Sequence, residues 1–443
     1  MELIRIDDAG YEDARSIFNS MIEKRPAVIA RCATTDDVVQ ALALARAEGY
    51  DVAVRAGGHS VAGMCLNEGG LVIDVRPMKE AVVDARARTI RAGAGLTWGE
   101  FDAATQEHGL AATGGRVSTT GVAGLTLGGG SGWLERKCGL ACDNLRAVEL
   151  VTADGRLLRA SETEHPDLFW ALHGGGGNFG VVTSFEFALH PIGPIVYAGL
   201  LLWPGDAGYD VGRTYRDLAV DAPDEFGSAF ACLTGPPEEF VPEHLQGATV
   251  AAIAVCWTGD AAGGADVLEP FRQLGPEVDL VGEMPYAGFQ CMLDDPPGHR
   301  NYWTAEYHDT FPDDALDVFV KYGLNRVSPL TQQFLVPWGG AVARVGEDDT
   351  PMTKRSAQWI THPFGVWEDP ADDEANITWA RRFRSDIARY TNGGVYLNFI
   401  GDEGEERVRA AFGEEKYRRL AAIKAEYDPD NVFHGNQNIK PAR

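Results

Sequence analysis

The stretch "GGGGNFGVVTSFEF", residues 174–187, decides which fold this chain can have. Gly175-x-Gly177-x-x-Gly180 has the spacing of the dinucleotide fingerprint, whose last glycine must open a helix. Here "VVTSFEF" follows, a β-branched and aromatic run that reads as a strand. The doubly wound dinucleotide fold is therefore excluded, and the glycine loop needs another explanation.

Two further glycine-rich loops lie nearby. One is "VRAGGHSVAG", residues 54–63, and the other is "TGGRVSTTGVAGLTLGGGSGW", residues 113–133. Glycine lets backbone N–H groups converge on an anion or lie against a flat ring. One such loop is only a tight turn. Three in one region point to a large, charged, partly planar ligand. His59 sits at the tip of the first loop as a solvated residue, an acid–base group, a metal ligand or an attachment point; the residues alone leave these open. No G-x-x-x-x-G-K-[ST], H-E-x-x-H or G-x-S-x-G occurs. Cys138 and Cys142 lack a second Cys/His pair at zinc spacing, so no metal site is expected and both read as small buried residues.

Composition narrows the class. With 443 residues, 45% hydrophobic and 23% charged, the chain suits two or three domains with substantial cores. A net charge of −26 argues against nucleic acid and against an anionic membrane surface. Arg outnumbers Lys, which fits either a high-salt source or an ordinary acidic enzyme. Seven cysteines, an odd number, argue against a disulfide framework. "MELIRIDDAG" lacks a signal-peptide pattern and no apolar run is long enough to span a bilayer, so a cytoplasmic location is expected.

Along the chain, residues 27–54 read as strand, helix, strand. Thr34 and Asp37 form a capping box, and Gly49 is the stop. "GLVIDV" is another strand, and Thr97 with Glu100 caps a helix ending near Gly109. "AVELVTADGRLLRAS" reads as a hairpin turning on Asp154-Gly155. Pro191 and Pro194 mark a boundary. Residues 195–390 mix β-rich runs with amphipathic helices, as an antiparallel sheet carrying helices would. Residues 391–443 hold "GGVYLNF", two short helices and "YDPDNVFHGNQNIKP".

Five ordered motifs, "RAGGHS" at 55–60, "STTGVAGLTLGGGSGWLERKCGL" at 118–140, "FWALHGGGGNFGVVTSFEF" at 169–187, "NYWTAEY" at 301–307 and "YDPDNVFHGNQNI" at 427–439, together resemble one family. It is that of the berberine-bridge-enzyme-like FAD-linked oxidases, within the vanillyl-alcohol-oxidase and p-cresol-methylhydroxylase superfamily. The resemblance implies an α+β fold. A two-subdomain FAD-binding domain, residues 1–192, is completed by a C-terminal segment, 391–443. A substrate-binding domain of antiparallel sheet plus helices, 193–390, is inserted between them.

The resemblance also implies site residues. His59 matches the histidine that bonds to the flavin 8α-methyl. Val117 stands where some members carry a second, cysteinyl tether, so one covalent link is expected. Arg55, Ala56, Gly57, Gly58 and Ser60, with Thr119, Thr120, Gly121, Val122 and Gly124, would line the pyrophosphate. Gly129 belongs to the same cofactor set. Gly177, Asn178, Gly180, Val181 and Val182 would follow the ribityl chain and ring, with Asn436, Gln437 and Asn438 at the flavin edge. Tyr396 and Asn398 form a Y-x-N pair beside the flavin. Tyr396 is either the acceptor of a substrate hydroxyl proton, with its pKa lowered from about 10, or a core tyrosine on a strand. Tyr302 and Trp303 line the substrate pocket or belong to an aromatic core. His173, His434 and the Asp294–Asp295 pair carry no catalytic role.

The implied function is oxidation of a C–H beside an alcohol or amine of a small molecule, by hydride transfer to flavin N5, with oxygen as acceptor. The alternatives are a dehydrogenase using another acceptor and a non-catalytic flavoprotein that sequesters a small molecule.

Overall fold

The computed structural model describes residues 1–294 and 296–443; Asp295 lies outside the described residues. The strands Val28–Arg31 and Val52–Arg55 both run parallel to Leu71–Asp74, which lies between them, and Glu2–Arg5 adds an antiparallel edge. Parallel strands require a crossover, and the helix Thr35–Glu48 helps to supply it. Its capping box is present: Asp37 N donates to Thr34 Oγ1 at 3.2 Å and Thr34 N donates to Asp37 Oδ2 at 3.0 Å. Gly49 ends the helix at φ 71°, in the left-handed region that favours glycine.

A second sheet has the order Ala81–Asp84, Thr89–Gly93, Val181–Ala188, Leu145–Val151, Leu157–Ser161. The residues after Gly180 thus form its central strand, as the opening motif required. The hairpin between Leu145–Val151 and Leu157–Ser161 is present, but its turn is longer than the two residues expected. Val151 pairs with Leu157, and Thr152 N donates to Arg156 O across the loop, so Asp154-Gly155 is the tip of a five-residue loop.

Residues 195–367 contribute a nine-stranded antiparallel sheet among the described residues. Alternation along its strands separates two faces. Phe230, Ile253 and Leu335 pack beneath the helices Gly208–Ala219, Asp313–Leu324 and Asp373–Ile387. Ala198, Ala229, Ala254 and Val336 turn the other way, against Trp133 and Leu134. Their small side chains let the two halves approach closely; a Cβ on Gly227 would stand 2.0 Å from Trp133 O.

The C-terminal segment returns to the first half of the chain. The helical stretch Glu405–Tyr427 breaks at Gly413, φ 70°, giving the two short helices read from the sequence. "VYLNF" is not a strand, in contrast to one of the two readings of Tyr396. It turns as a short 3-10 helix, Leu397–Phe399, anchored by side chains rather than by a ladder.

One buried cation locks this return. Lys424 Nζ, with no exposed side-chain surface, donates to Asn178 O at 2.6 Å, Phe433 O at 2.9 Å and Asp428 Oδ2 at 2.6 Å. It joins the loop before Val181 to the C-terminal tail. Removing one partner of a buried ion pair leaves the other charge uncompensated. Lys424→Met should therefore destabilise the fold by about 3–5 kcal/mol, read as a drop in urea-unfolding free energy; a change under about 0.5 kcal/mol would contradict this role.

Candidate active site

The glycine loops meet backbone to backbone. A Cβ on Gly57 would stand 2.3 Å from Gly121 N, and one on Gly121 would stand 2.4 Å from Gly57 N. Each loop is fixed from behind. Val75 N donates to Arg55 O at 2.9 Å, Trp98 N to Thr120 O at 2.9 Å and Val122 N to Leu96 O at 2.9 Å. Arg55 does not face the space in front, contrary to the expectation for it. Its guanidinium is buried behind the loop, donating to the carbonyls of Ala14 and Ser16, and burial pushes its pKa down to about 10.

His59 stacks on Phe18 with centroids 4.3 Å apart and planes at 19°. Its Nε2 lies 3.0 Å from Thr119 Oγ1, while Nδ1 lies 3.5 Å from Thr120 Oγ1, a much weaker engagement. Burial pushes its pKa down to about 4, so the imidazole is neutral at pH 7. A neutral ring is the nucleophilic form.

In front of the loops opens a cleft of about 2180 Å³, solvent at its mouth included. Its lining divides into two arms, one glycine-rich and one aromatic. One arm is walled by Ala56 to Ser60, Val117, Thr120, Gly121, Gly124, Gly177, Gly180 and Val182, with Asn436 and Gln437 from the tail. Gly124 and Gly177 have open space where a Cβ would be, so bare backbone forms that wall. The other arm is aromatic: Phe18, Trp303, Phe334, His362, Phe364 and Phe399.

Several expected site residues stand behind the wall. Val181 points to the core face of its strand while Val182 points to the cleft, as alternation requires. Val122 packs in the core. Gly129 lies against Met352 and the Tyr396 ring. Asn178 is a clamp: Ile439 N donates to its Oδ1 at 2.9 Å, and its Nδ2 donates to Gly175 O at 2.8 Å. Thr119 touches the site through His59. Asn438 does not line the cleft, whereas Asn436 does, with its Nδ2 on Gly177 O at 3.2 Å.

Tyr302 is a correction. It occupies the opposite face of its strand from Trp303, and its hydroxyl accepts from Arg381 Nε at 3.3 Å on the outer surface. Tyr396 is another, because its hydroxyl is not open to a substrate. It is fully buried and accepts N–H from Gly130 at 2.8 Å, Ser131 at 2.7 Å and Asn398 Nδ2 at 3.1 Å. Burial raises its pKa rather than lowering it. Asn398 lines the cleft but donates its amide hydrogens to Leu125 O, at 2.9 Å, and Tyr396. This pair braces the Gly128–Ser131 turn.

Cys138 and Cys142 are buried and unbridged, and Cys65 is the cysteine on the cleft wall among the described residues. His173 and His434 bond to backbone carbonyls of their own turns, Phe169 O at 2.6 Å and Asn431 O at 2.9 Å. Asp294 accepts from Ser118 N at 2.6 Å and ties the loop bearing Val117 to the sheet half. The sequence reading missed Phe18, Arg116, Phe334, His362, Phe364 and Phe399. His362 and Phe364 belong to a strand buried throughout, which gave no contrast, whereas Arg116 stands in the glycine-rich loop 113–133, where a charged residue was a readable signal.

Comparison with known proteins identifies the family. Residues 26–161 match the FAD binding domain profile, and residues 395–440 match the berberine and berberine-like profile. The chain is 30% identical to the FAD-linked oxidoreductase YgaK of Bacillus subtilis, covering 100% of this chain and 97% of that one. It is 31% identical to (R)-6-hydroxynicotine oxidase of Paenarthrobacter nicotinovorans, over 99% and 96%. The crystal structure of 6-hydroxy-D-nicotine oxidase from Arthrobacter nicotinovorans superposes with TM-score 0.89 at 28% identity, over 100% and 98%. The chain belongs to the berberine-bridge-enzyme-like FAD-linked oxidoreductases.

The cleft fits the FAD of this family. Backbone at Gly124 and Gly177 leaves room for flat or phosphorylated groups, and Asn436 Oδ1 is buried without a partner beside that wall. In this oxidoreductase the loops at 56–60, 117–124 and 177–182 and the tail at 436–437 would hold the cofactor. When bound, FAD supplies two-electron acceptance.

Gly57→Val should drive the two loops apart and reduce FAD retention by more than tenfold, measured as flavin absorbance per protein after gel filtration. Acid should also weaken the fold. His308 and His362 are buried and neutral, each with a pKa pushed down to about 4 by burial. The unfolded chain binds protons below about 6.5 that the native one refuses, so stability present above that pH is lost as pH falls toward 4. The two together should remove about 2 kcal/mol or more by pH 5, read from urea midpoints at pH 7 and 5.

Proposed function

We propose that this FAD-linked oxidoreductase carries its flavin on His59 and oxidises a C–H beside a hydroxyl or amine of a small molecule, by hydride transfer to the flavin, with oxygen as the electron acceptor. The observation that carries the attachment is His59 itself: a neutral imidazole beside the point where two glycine-rich loops meet at Gly57 and Gly121. Nε2 lies 3.0 Å from Thr119 Oγ1 while Nδ1 has only the 3.5 Å approach of Thr120 Oγ1, so Nδ1 is the less engaged ring nitrogen. Val117 offers no thiol, so the link is single. Phe18 packs flat on the ring and restricts its rotation.

The chain divides the work by segment. Residues 1–192 and 391–443 hold the cofactor, and residues 193–390 supply Trp303, Phe334, His362 and Phe364 to the substrate arm, beside Phe18 and Phe399. Trp303, Phe334 and Phe364 exclude water from that arm and orient a ring or alicyclic face against their own. The (R)-6-hydroxynicotine oxidase relative acts on a hydroxylated, nitrogen-containing ring compound, in keeping with an aromatic-walled pocket of this kind.

Acid precipitation tests the attachment. Native protein should give a yellow pellet, and His59→Ala a colourless one with flavin in the supernatant. Flavin released from native protein would overturn the covalent link. Rapid reoxidation in air, after anaerobic bleaching by substrate, would support oxygen as acceptor; slow reoxidation would assign the dehydrogenase role instead.

A further inference from the structure

With the Tyr396 hydroxyl saturated by N–H donors, the substrate arm needs another proton acceptor, and His362 meets the requirement. It lies on the strand Trp359–Trp367, with Nδ1 3.0 Å from Thr304 O. A carbonyl only accepts, so Nδ1 carries the hydrogen and Nε2 the lone pair. Phe399 stacks on the ring at 4.1 Å and 11°, and Trp303 and Phe364 meet it edge-on at 5.6 Å each. The ring is thus fixed in orientation while it lines the cleft.

Nε2 has no hydrogen bond among the described residues, and it is not one of the sealed, partnerless polar atoms. Two other side chains on the wall are committed elsewhere. Asn398 gives both amide hydrogens away, and His59 is held by Thr119. Arg116, the charged group that faces His362, donates to Ser131 Oγ, Gly132 O and Glu135, and its charge adds to the burial that holds His362 neutral. No carboxylate lines the cleft among the described residues.

We propose that His362 Nε2 accepts the hydroxyl proton of an alcohol substrate whose ring lies against Trp303, Phe364 and Phe399. This rests on the flavin reading above. The C–H bond breaks with its electron pair passing to FAD as hydride, the O–H bond breaks with its proton passing to Nε2, and a C=O bond forms. The imidazolium, still held through Nδ1–H by Thr304 O, then returns its proton to solvent.

The test uses the FAD-loaded protein with phenol and anisole as probes. Both rings fit aromatic walls, but only phenol has an O–H to donate. Phenol should bind at least tenfold more tightly than anisole, followed by perturbation of flavin absorbance, and His362→Leu should abolish the difference. In ¹⁵N-histidine spectra at pH 7, the resonances lost in His362→Gln should show a protonated Nδ1 and an unprotonated Nε2 that shifts when phenol is added. Equal affinities, no phenol binding, or a protonated Nε2 would each overturn the assignment. Should the variants not fold, the probe and ¹⁵N comparisons on native protein still decide it, with resonances identified by their nuclear Overhauser contacts to Phe399. The flavin content and pellet colour of the same preparation report separately on the cofactor reading.

Discussion

The close approach of two backbones at Gly57 and Gly121 fixes the geometry on which the rest of the site depends. With atoms of one loop 2.3 to 2.4 Å from a notional Cβ on the other, neither position tolerates a side chain. The contact brings the tip bearing His59 against the loop bearing Val117, Thr119 and Thr120. It also couples the parallel sheet, which delivers Arg55 to Ser60, to the capped helix Trp98–Gln106, whose Trp98 holds Thr120 while Leu96 just before the helix holds Val122. The cleft opens in front of this junction, and the nine-stranded sheet supplies its aromatic wall.

A second set of ties brings the substrate wall to that seam. Asn19 donates to Val61 O at 2.8 Å and Asn301 O at 3.0 Å, so the N-terminal segment clips the His59 loop to the strand bearing Trp303. Arg355 reaches Asp143 with two bonds, 2.8 and 3.0 Å, in a buried pair between the halves. Gln290 donates to Asp102 Oδ2 at 2.9 Å and Gly115 O at 3.2 Å behind the loop bearing Val117. Polar bonds of this kind, unlike apolar contact, have direction, and they specify how the walls are oriented.

Different parts of the site were legible for different reasons. Gly57, Gly121, Gly124 and Gly177 could be read because their function is to lack a side chain, and that is written in residue type. His59 drew attention because glycines frame it, but the residues alone left its role open and only the family resemblance pointed to attachment. Tyr396 and Tyr302 went the other way. Whether a tyrosine hydroxyl faces a cleft, a backbone turn or solvent depends on what another segment presents to it, here the N–H groups of Gly130 and Ser131 and the guanidinium of Arg381. His362 was illegible because "WITHPFGVW" is buried throughout, so no alternation of polarity marked the face turned to the cleft.

The sequence by itself determined the strand after Gly180, the capped helices after Thr34 and Thr97, and the glycine-rich loops. Each of these follows from local preference: φ at glycine, capping by Thr with Asp or Glu, and β-branching. Only the tertiary structure decided that Arg55, Asn178 and the Tyr396–Asn398 pair brace the site from behind, and that the substrate arm is aromatic with a partnerless imidazole nitrogen at His362. The physical reason is that a hydrogen bond between segments tens to hundreds of positions apart is set by how those segments dock, and docking leaves no periodic trace in either one.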